Sequence, residues 1–214
     1  MTQKPTQLLL ARHGEVEESY HKIFGGRIDM NLSPRGHQQA RMLAAFLGGK
    51  KVDAVYASPM KRVQQTLAPF LADGAPPQKI IDDLREVDFG DWTGLNWEQV
   101  CEKFHLLTHE WLDHIERGVA PNGESGPHFR KRIAPCLREI IKNHPGQTVA
   151  IFCHGGVIRM ILSILLELPL PRTNMFEVEY ASVTQIALHP RHAEIELLNF
   201  TPWRDLASGD QPSR

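Results

Sequence analysis

Two histidines in the sequence each follow an apolar run and each precede a glycine. His13 follows the run at 7–12, which ends on Arg12, and His154 follows the run at 148–153. A neutral imidazole can attack phosphorus and form a covalent intermediate, and a second imidazole can donate a hydrogen bond to the group in transfer. The guanidinium of Arg12 is a permanently charged fork of donors that suits phosphate oxygens. The pattern indicates phosphoryl chemistry.

A third apolar run adds a second arginine to this set. The run at 52–57 ends at Ser58, and Arg62 stands one helical turn beyond it. Glycines such as Gly14 and Gly155 allow backbone amides to approach an oxyanion closely. Because positive donors can spread the charge of a phosphoryl group by themselves, we expect a phosphate pocket with no metal and no cofactor.

A leaving alkoxide also needs a proton, and two carboxyl groups could supply it. Glu86 and Asp88 lie two apart in "LREVDFGDWTG", residues 84–94. A carboxylic acid beside cations needs partial desolvation to hold its proton near neutral pH. Physical reasoning from the residues leaves the choice between the two acids open.

The elements that must position these groups alternate between strand and helix. The apolar runs and helical periods predict strands over 7–12, 52–58, 148–154, 182–190 and 193–200, and helices over 31–49, 60–72, 97–115, 128–144 and from 157 onward. Ser33 is the expected N-cap of the helix over 31–49, before Pro34. Ser58-Pro59 is expected to start the next helix, and Pro135 to kink or break its own. The fold class is α/β, with a largely parallel sheet between helical layers and ligands outside the carboxyl strand ends.

Length, charge and cysteine content limit the possible partners. The 214 residues suit one domain spanning 1–214, with a loose tail from about Arg204. A formal net charge of −1 argues against nucleic acid and against an anionic membrane surface as partners. No apolar window approaches the length of a membrane span or a signal peptide. Three widely spaced cysteines indicate reduced thiols in a cytoplasmic protein, either a monomer or a homodimer.

Six motifs, in this order, resemble those of the histidine phosphatase superfamily, the group that includes the cofactor-dependent phosphoglycerate mutases. They are "LARHGE" (10–15), "GRIDMNLSPRGHQQA" (26–40), "YASPMKRVQQT" (56–66), "LREVDFGDWTG" (84–94), "PNGES" (121–125) and "CHGGVIR" (153–159). The resemblance implies a three-layer α/β/α sandwich with a mostly parallel central sheet, as in the phosphoglycerate mutases.

The resemblance also implies roles for the residues already singled out. His13 would be the nucleophile that becomes phosphohistidine, and Arg12, Arg62 and His154 would bind the phosphoryl group. Glu86 stands where the family has its acid. It would protonate the leaving oxygen and then help to activate water.

Four further residues are candidates for binding the substrate or its phosphate. They are Ser19, Gly26, Arg27 and Gly155. Ser19 takes the position, six residues after the nucleophile, at which family members often have asparagine. A serine can still donate to phosphate but reaches less far, so this departure affects the expected substrate geometry more than catalysis.

The segment after Glu86 separates the branches of the family. "VDFGDWTGL" resembles the phosphatase branch, which includes α-ribazole phosphatase-like and broad-specificity phosphatases, and not the Arg-His-Tyr-Gly type of the mutases. We therefore expect hydrolysis of a small phosphomonoester. Phosphoryl transfer of the mutase type is the alternative, and a non-catalytic phosphate-binding protein is the third.

Several other residues allow a structural as well as a functional interpretation. Glu15 is expected near the substrate, and Glu124 either bounds the pocket or belongs to a turn. Trp92 and Trp97 could line a lid, although core packing is the simpler assignment. His105 and His109 share a helical face at a spacing that suits zinc, but a packed or exposed helix is preferred.

Overall fold

The computed structural model describes residues 4–106 and 110–206, and one sheet organises them. Its six strands are β1 Thr6–Arg12, β2 Ala54–Ala57, β3 Gln78–Ile80, β4 Thr148–Cys153, β5 Val183–Leu188 and β6 Ala193–Phe200. The spatial order is β3-β2-β4-β1-β5-β6. The first four strands in this order pair in parallel, and β5 and β6 add an antiparallel hairpin at one edge. The expected α/β fold with a mostly parallel sheet is confirmed.

Helices cover both faces of the sheet because β1 is apolar on both sides. The α-helices of the described residues are α1 Pro34–Gly48, α2 Lys61–Ala72, α3 Trp97–Phe104, α4 Trp111–Arg117, α5 Gly126–Asn143, α6 Gly155–Leu165 and α7 Pro202–Asp205. Leu8 and Leu10 face the cluster that includes α5 and α6, and Leu9 and Ala11 face the cluster of α1 and α2. Successive strand residues point to opposite faces, so a run of leucines fills both halves of the core.

Helix α1 begins and ends where its sequence predicts. Ser33 accepts a hydrogen bond from the backbone N–H of Gly36 at 2.9 Å, and Pro34 occupies the first turn. The Ser33 hydroxyl also donates to the Glu15 carboxylate at 2.8 Å. Glu15 pairs further with Arg35 at 3.6 Å. The Glu15 side chain therefore anchors the start of α1.

The single helix expected over 97–115 is wrong. Helix α3 ends at Phe104, and His105 has the left-handed conformation, with φ 55° and ψ 41°. Its backbone N–H bonds to the carbonyl of Cys101, which closes the helix. Helix α4 begins only at Trp111. His109, the second residue of the considered zinc pair, lies outside the described residues.

Prolines and helix boundaries account for the other differences. Helix α5 continues through Pro135 without a break, and Ser125 caps it by accepting from the N–H of His128. Helix α2 begins at Lys61 with Met60 as its N-cap residue, so Ser58 does not cap it. Arg204, the expected start of a loose tail, instead lies in α7, and its guanidinium pairs with Glu179 at 2.7 Å. Residues 207–214 lie outside the described part.

Across residues 4–106 and 110–206, no helix combines the length and the apolar character that a bilayer crossing requires.

Candidate active site

The parallel register of β1 and β4 brings the two histidines side by side. Arg12 pairs with Cys153 across these strands, so His13 and His154 each extend one residue beyond the paired ends. Their ring centroids are 5.3 Å apart and their planes meet at 62°. A cavity of about 240 Å³ opens at this edge. Among the predicted site residues, those that line it are Arg12, His13, Gly26, Arg62, Glu86 and Gly155.

Hydrogen bonds fix the protonation of the His13 ring. Its Nδ1 lies 2.8 Å from the carbonyl oxygen of Gly14, which can only accept, so Nδ1 carries the proton. The Arg62 guanidinium can only donate, and its Nε donates to His13 Nε2 at 3.2 Å. Burial, Arg62 and Arg12 together hold the pKa of His13 well below its ordinary value of 6.5. The ring is therefore neutral, with a lone pair on Nε2.

The loop that follows His13 is held against two helices. The N–H of Gly14 donates to Thr66 of α2 at 2.9 Å, and the N–H of Glu15 donates to Gln39 of α1 at 2.8 Å. A side chain at Gly14 would press on the Gly36 carbonyl at 2.7 Å. Only glycine permits so close an approach of the two backbones, and the chain can turn away directly after His13.

Arg62 is almost completely buried, with 2% of its surface exposed. Its two terminal nitrogens donate to the carbonyls of Ile28 and Gly26, at 2.8 and 2.9 Å. Gly26 takes a φ of 47°, which favours glycine. Burial lowers the pKa of Arg62 to about 10, and the side chain remains charged at neutral pH. The fork is thus fixed beside His13 before any substrate arrives.

Arg12 reaches the cavity from the end of β1. Its Nη1 donates to the carbonyl of Val178 at 2.5 Å, and the guanidinium lies 4.1 Å from the centre of the Tyr180 ring. Its Nε is buried and finds no hydrogen-bond partner among the described residues. A charged donor of this kind is available for an anion in the cavity.

His154 is fully buried and is oriented by Ser58. Its Nε2 lies 2.8 Å from the Ser58 hydroxyl, which also receives the N–H of Met60 at 3.4 Å. The hydroxyl proton can therefore go to Nε2, which leaves the His154 proton on Nδ1. Nδ1 has no partner among the described residues. Burial, Arg62 and His13 hold the pKa of His154 well below 6.5. Sequence reasoning assigned Ser58 to a helix start and missed this contact.

The two candidate acids have different surroundings. Glu86 lines the cavity, and its oxygens accept from the N–H groups of Val87 at 3.0 Å and Gly156 at 3.1 Å. Any side chain at Gly156 would collide with the Glu86 carboxyl group. The Asp88 carboxylate instead receives the N–H of Gly90 at 3.0 Å and pairs with Arg27 at 3.6 Å. The geometry brings Glu86 to the cavity and gives Asp88 a structural place.

The backbone around Glu86 is held by Arg132, a residue that sequence reasoning missed. Arg132 donates to the carbonyls of Asp83, Arg85 and Glu86. Its guanidinium also forms a two-pronged pair with Glu124, at 2.7 and 2.9 Å. Glu124 therefore holds the guanidinium of Arg132, which in turn holds the backbone of the segment that carries Glu86. The helical spacing of α5 gave no signal for this, because the contacts join residues about 46–49 positions apart.

Three predicted residues do not line the cavity. His154 is fully buried and reaches it only through its contact with the His13 ring. Ser19 is exposed in the short 3-10 helix Glu18–Tyr20, although Tyr20 beside it does line the cavity. Arg27 is exposed and pairs with Asp88 at the rim. Their expected contact with substrate stays a prediction.

Three aromatic side chains form a connected part of the cavity lining. Phe24, Phe89 and Trp111 line it and contact one another, with ring centroids 4.9 to 6.3 Å apart. Trp92 and Trp97 pack behind Phe24. Trp92 is fully buried, which confirms its assignment to the core. The sequence offered no pattern that joins Phe24 to Trp111.

Within residues 4–106 and 110–206, one group could hold a metal ion, and it lies at the other end of the sheet. It consists of His189, His192 and Glu194, at the β5–β6 turn. Leu188 pairs with Thr6 at the amino end of β1, so this group is remote from His13. The cavity itself presents arginines and a single carboxyl group, a set that suits an anion and not a cation.

Comparison with known proteins agrees with this geometry. The sequence model of the histidine phosphatase superfamily (branch 1) matches residues 8–201. The chain is 32% identical over 196 residues to phosphoserine phosphatase 1 of Hydrogenobacter thermophilus, which covers 91% of this chain and 92% of that protein.

Two crystal structures show how far the similarity extends in three dimensions. The α-ribazole phosphatase of Shigella flexneri superimposes with a TM-score of 0.80 at 26% identity, over 91% of this chain and 96% of that one. A phosphoserine phosphatase variant of Entamoeba histolytica, in complex with phosphoserine, gives a TM-score of 0.78 at 27% identity, over 92% of this chain and 98% of that one.

Proposed function

Because the chain belongs to the histidine phosphatase superfamily and is a phosphoric monoester hydrolase, we propose that it hydrolyses a small phosphomonoester through a phosphohistidine on His13. The observation that carries this proposal is the state of the His13 ring. A neutral imidazole with its proton held on Nδ1 has its lone pair on Nε2, which accepts from Arg62 Nε in this structure. That lone pair lies at a cavity lined by three arginines, where a phosphate dianion binds well.

The first step transfers the phosphoryl group to the enzyme. His13 Nε2 attacks phosphorus, the bond from phosphorus to the ester oxygen breaks, and Glu86 gives a proton to the departing alkoxide. Without substrate, Arg62 Nε donates to His13 Nε2. When the phosphoryl group bonds to Nε2, this N–H donates to a phosphoryl oxygen instead. The Gly14 carbonyl stabilises the positive charge that the ring acquires on attack.

The second step returns the enzyme to its starting state. Water attacks the phosphohistidine, Glu86 accepts a proton from that water, and the bond from phosphorus to Nε2 breaks. Inorganic phosphate leaves and His13 is again neutral. Arg12 Nε and His154 Nδ1, which have no partner among the described residues, supply donors to the transferring oxygens in both steps. No step needs a metal ion.

Trapping the intermediate tests this proposal. The enzyme is mixed with ³²P-labelled 4-nitrophenyl phosphate, quenched in alkali and digested, and the labelled peptide is identified. We expect label on His13 that alkali preserves and acid removes. His13→Ala should abolish label and turnover, whereas His128→Ala, on an exposed histidine of α5, should retain both. Unimpaired turnover in His13→Ala would refute the mechanism. If none of the esters tested released phosphate, the proposed function would be refuted.

The same preparation distinguishes hydrolysis from phosphoryl transfer between positions of one substrate. Incubation with 3-phosphoglycerate is followed for 2-phosphoglycerate and for free phosphate in the presence of EDTA. We expect phosphate release to exceed interconversion and to be unaffected by EDTA. Predominant interconversion would instead establish a mutase.

A further inference from the structure

We propose that the leaving alcohol of the substrate carries a flat ring without positive charge, bound between Phe24, Phe89 and Trp111. This inference rests on the proposed function and names the substrate class of the same cavity. Its basis is the composition of the cavity wall. Besides the arginines and His13, the cavity is lined by Phe24, Phe89 and Trp111, three aromatic side chains that contact one another.

The aromatic wall is assembled before any ligand binds. The N–H of Phe24 donates to the carbonyl of Leu95 at 2.9 Å, and the N–H of Gly94 donates to the carbonyl of Phe24 at 3.0 Å. Ile23 and Asn96 form a bridge beside them. These bonds fix Phe24 on the loop before α1 to the segment before α3. A ring that enters therefore meets a preformed surface and loses little affinity to reorganisation.

The three rings pack against the core and also line the cavity. Phe89 is nearly buried, but Phe24 and Trp111 keep part of their surface exposed. Phe24 lies 4.9 Å from Phe89 and 6.3 Å from Trp111, both at tilted angles. Tilted neighbours leave ring faces and edges open for a further ring in offset or edge-to-face contact. Three aromatic side chains from separate segments thus converge on the space beside the phosphoryl site.

The charges around the cavity exclude a cationic alcohol. Of the described residues that line it, Glu86 alone carries a carboxyl group, whereas Arg12, Arg62 and Arg159 carry guanidinium groups. Arg159 is held in place because its Nη1 donates to the carbonyl of Phe176 at 2.6 Å. The ammonium group of phosphoserine would find only Glu86, which the proposed mechanism uses as the acid. Buried without a partner, an ammonium group is strongly disfavoured.

A panel of primary alkyl phosphates tests the inference, because their leaving groups differ in shape and charge but not in bond type. The values of kcat/KM are measured for 2-phenylethyl phosphate, glycerol 3-phosphate, 3-phosphoglycerate, phosphoethanolamine and phosphoserine. We expect 2-phenylethyl phosphate to exceed phosphoserine and phosphoethanolamine by about a hundredfold, the combined effect of ring burial and the unpaired ammonium group.

Variants locate the preference on the aromatic wall. Phe24→Ala and Trp111→Leu should each lower the ratio of kcat/KM for 2-phenylethyl phosphate over glycerol 3-phosphate by about tenfold. Using the ratio cancels any loss of folded enzyme. Phe46→Ala is the matched control. Phe46 contacts Phe200 in the opposite helical layer, and its removal should leave the ratio unchanged.

The outcomes separate this inference from the function on which it rests. Phosphate release from none of the five esters overturns the proposed function. Release with phosphoserine, phosphoethanolamine or 3-phosphoglycerate preferred over 2-phenylethyl phosphate overturns the ring proposal alone. An unchanged ratio in both wall variants also overturns it, since the preference would then arise elsewhere.

Discussion

The two sides of the cavity are built from different kinds of structure. The phosphoryl side lies at the ends of β1 and β4 and at the first turn of α2, where His13, Arg62 and His154 are all buried. The side proposed for the alcohol is built from loops and helix starts, and two of its rings, Phe24 and Trp111, are partly exposed. The proposed mechanism thus places the chemistry common to all phosphomonoesters on the rigid sheet, and discrimination between alcohols on segments that can change without disturbing it.

The largest expected effect on kcat/KM comes from a substitution on the phosphoryl side of the cavity. Arg62→Ala removes the donor to His13 Nε2 and both contacts to the loop carbonyls. We expect kcat/KM to fall about a thousandfold for every ester, because the lost interaction is with the phosphate that all of them share. Arg130→Ala is the control, since Arg130 bonds to Ser163 away from the cavity. A loss confined to ring-bearing esters would contradict the division between the two sides.

The variant Glu86→Gln tests the point where the two sides meet, because Glu86 would protonate the oxygen between the phosphoryl group and the alcohol. For an alkyl phosphate, kcat/KM should fall about a hundredfold, because the departing alkoxide loses its proton donor. For 4-nitrophenyl phosphate the loss should be much smaller, since nitrophenolate leaves without a proton. The matched variant Asp88→Asn should behave nearly as the wild type with both esters. If kcat/KM fell equally for the two esters, Glu86 would not be the acid that protonates the leaving group.

A smaller effect is expected at Ser58, which touches neither substrate nor cavity wall. Ser58→Ala frees the ring of His154, and kcat/KM should fall about fivefold, the effect of one hydrogen bond. Ser58→Thr, which keeps a hydroxyl, should restore most of it. Ser163→Ala is the control for the loss of a buried hydroxyl in a contact remote from His154. A fall in stability with no change in kcat/KM would limit Ser58 to a structural role.

The last expected effect concerns stability and not activity. The pKa of His13 and of His154 is ordinary, about 6.5, in the unfolded chain and well below that value in the folded one. Between the two values the unfolded chain binds more protons, so the free energy of unfolding decreases as the pH falls below about 6.5, by about 1 kcal/mol per pH unit and histidine. Urea unfolding between pH 7.5 and 5 in phosphate-free buffer measures it. His154→Gln should flatten the dependence, and His128→Gln should not.

Sequence reasoning succeeded where a residue's place follows from a strand end. His13 and His154 follow apolar runs, and parallel strands bring their carboxyl ends to one edge. It failed where the place depends on contacts between distant segments. Ser58 faces His154 from 96 positions away, and Arg132 reaches the segment of Glu86 across 46. Phe24 meets Trp111 only because the bonds of the loop to Leu95 hold it there. No local period carries such information.

The helix expected over 97–115 failed for a related reason. Its apolar period is genuine, since both α3 and α4 pack on the core. Periodicity, however, does not report a single residue in the left-handed conformation, as His105 is. The interruption also separates Trp97, which packs behind Phe24, from Trp111, which lines the cavity.

The one-residue overhang of His13 and His154 beyond the paired strands has a consequence for insertions and deletions. Adding or removing one residue within β4 would shift every later side chain to the opposite face of the sheet. His154 would lose its contact with His13, and Gly155 and Gly156 would lose their approach to Arg12 and Glu86. The segments at 15–30, 91–106 and 110–127 contain no strand of the sheet. Changes of length during divergence should therefore accumulate in them and spare β1 and β4.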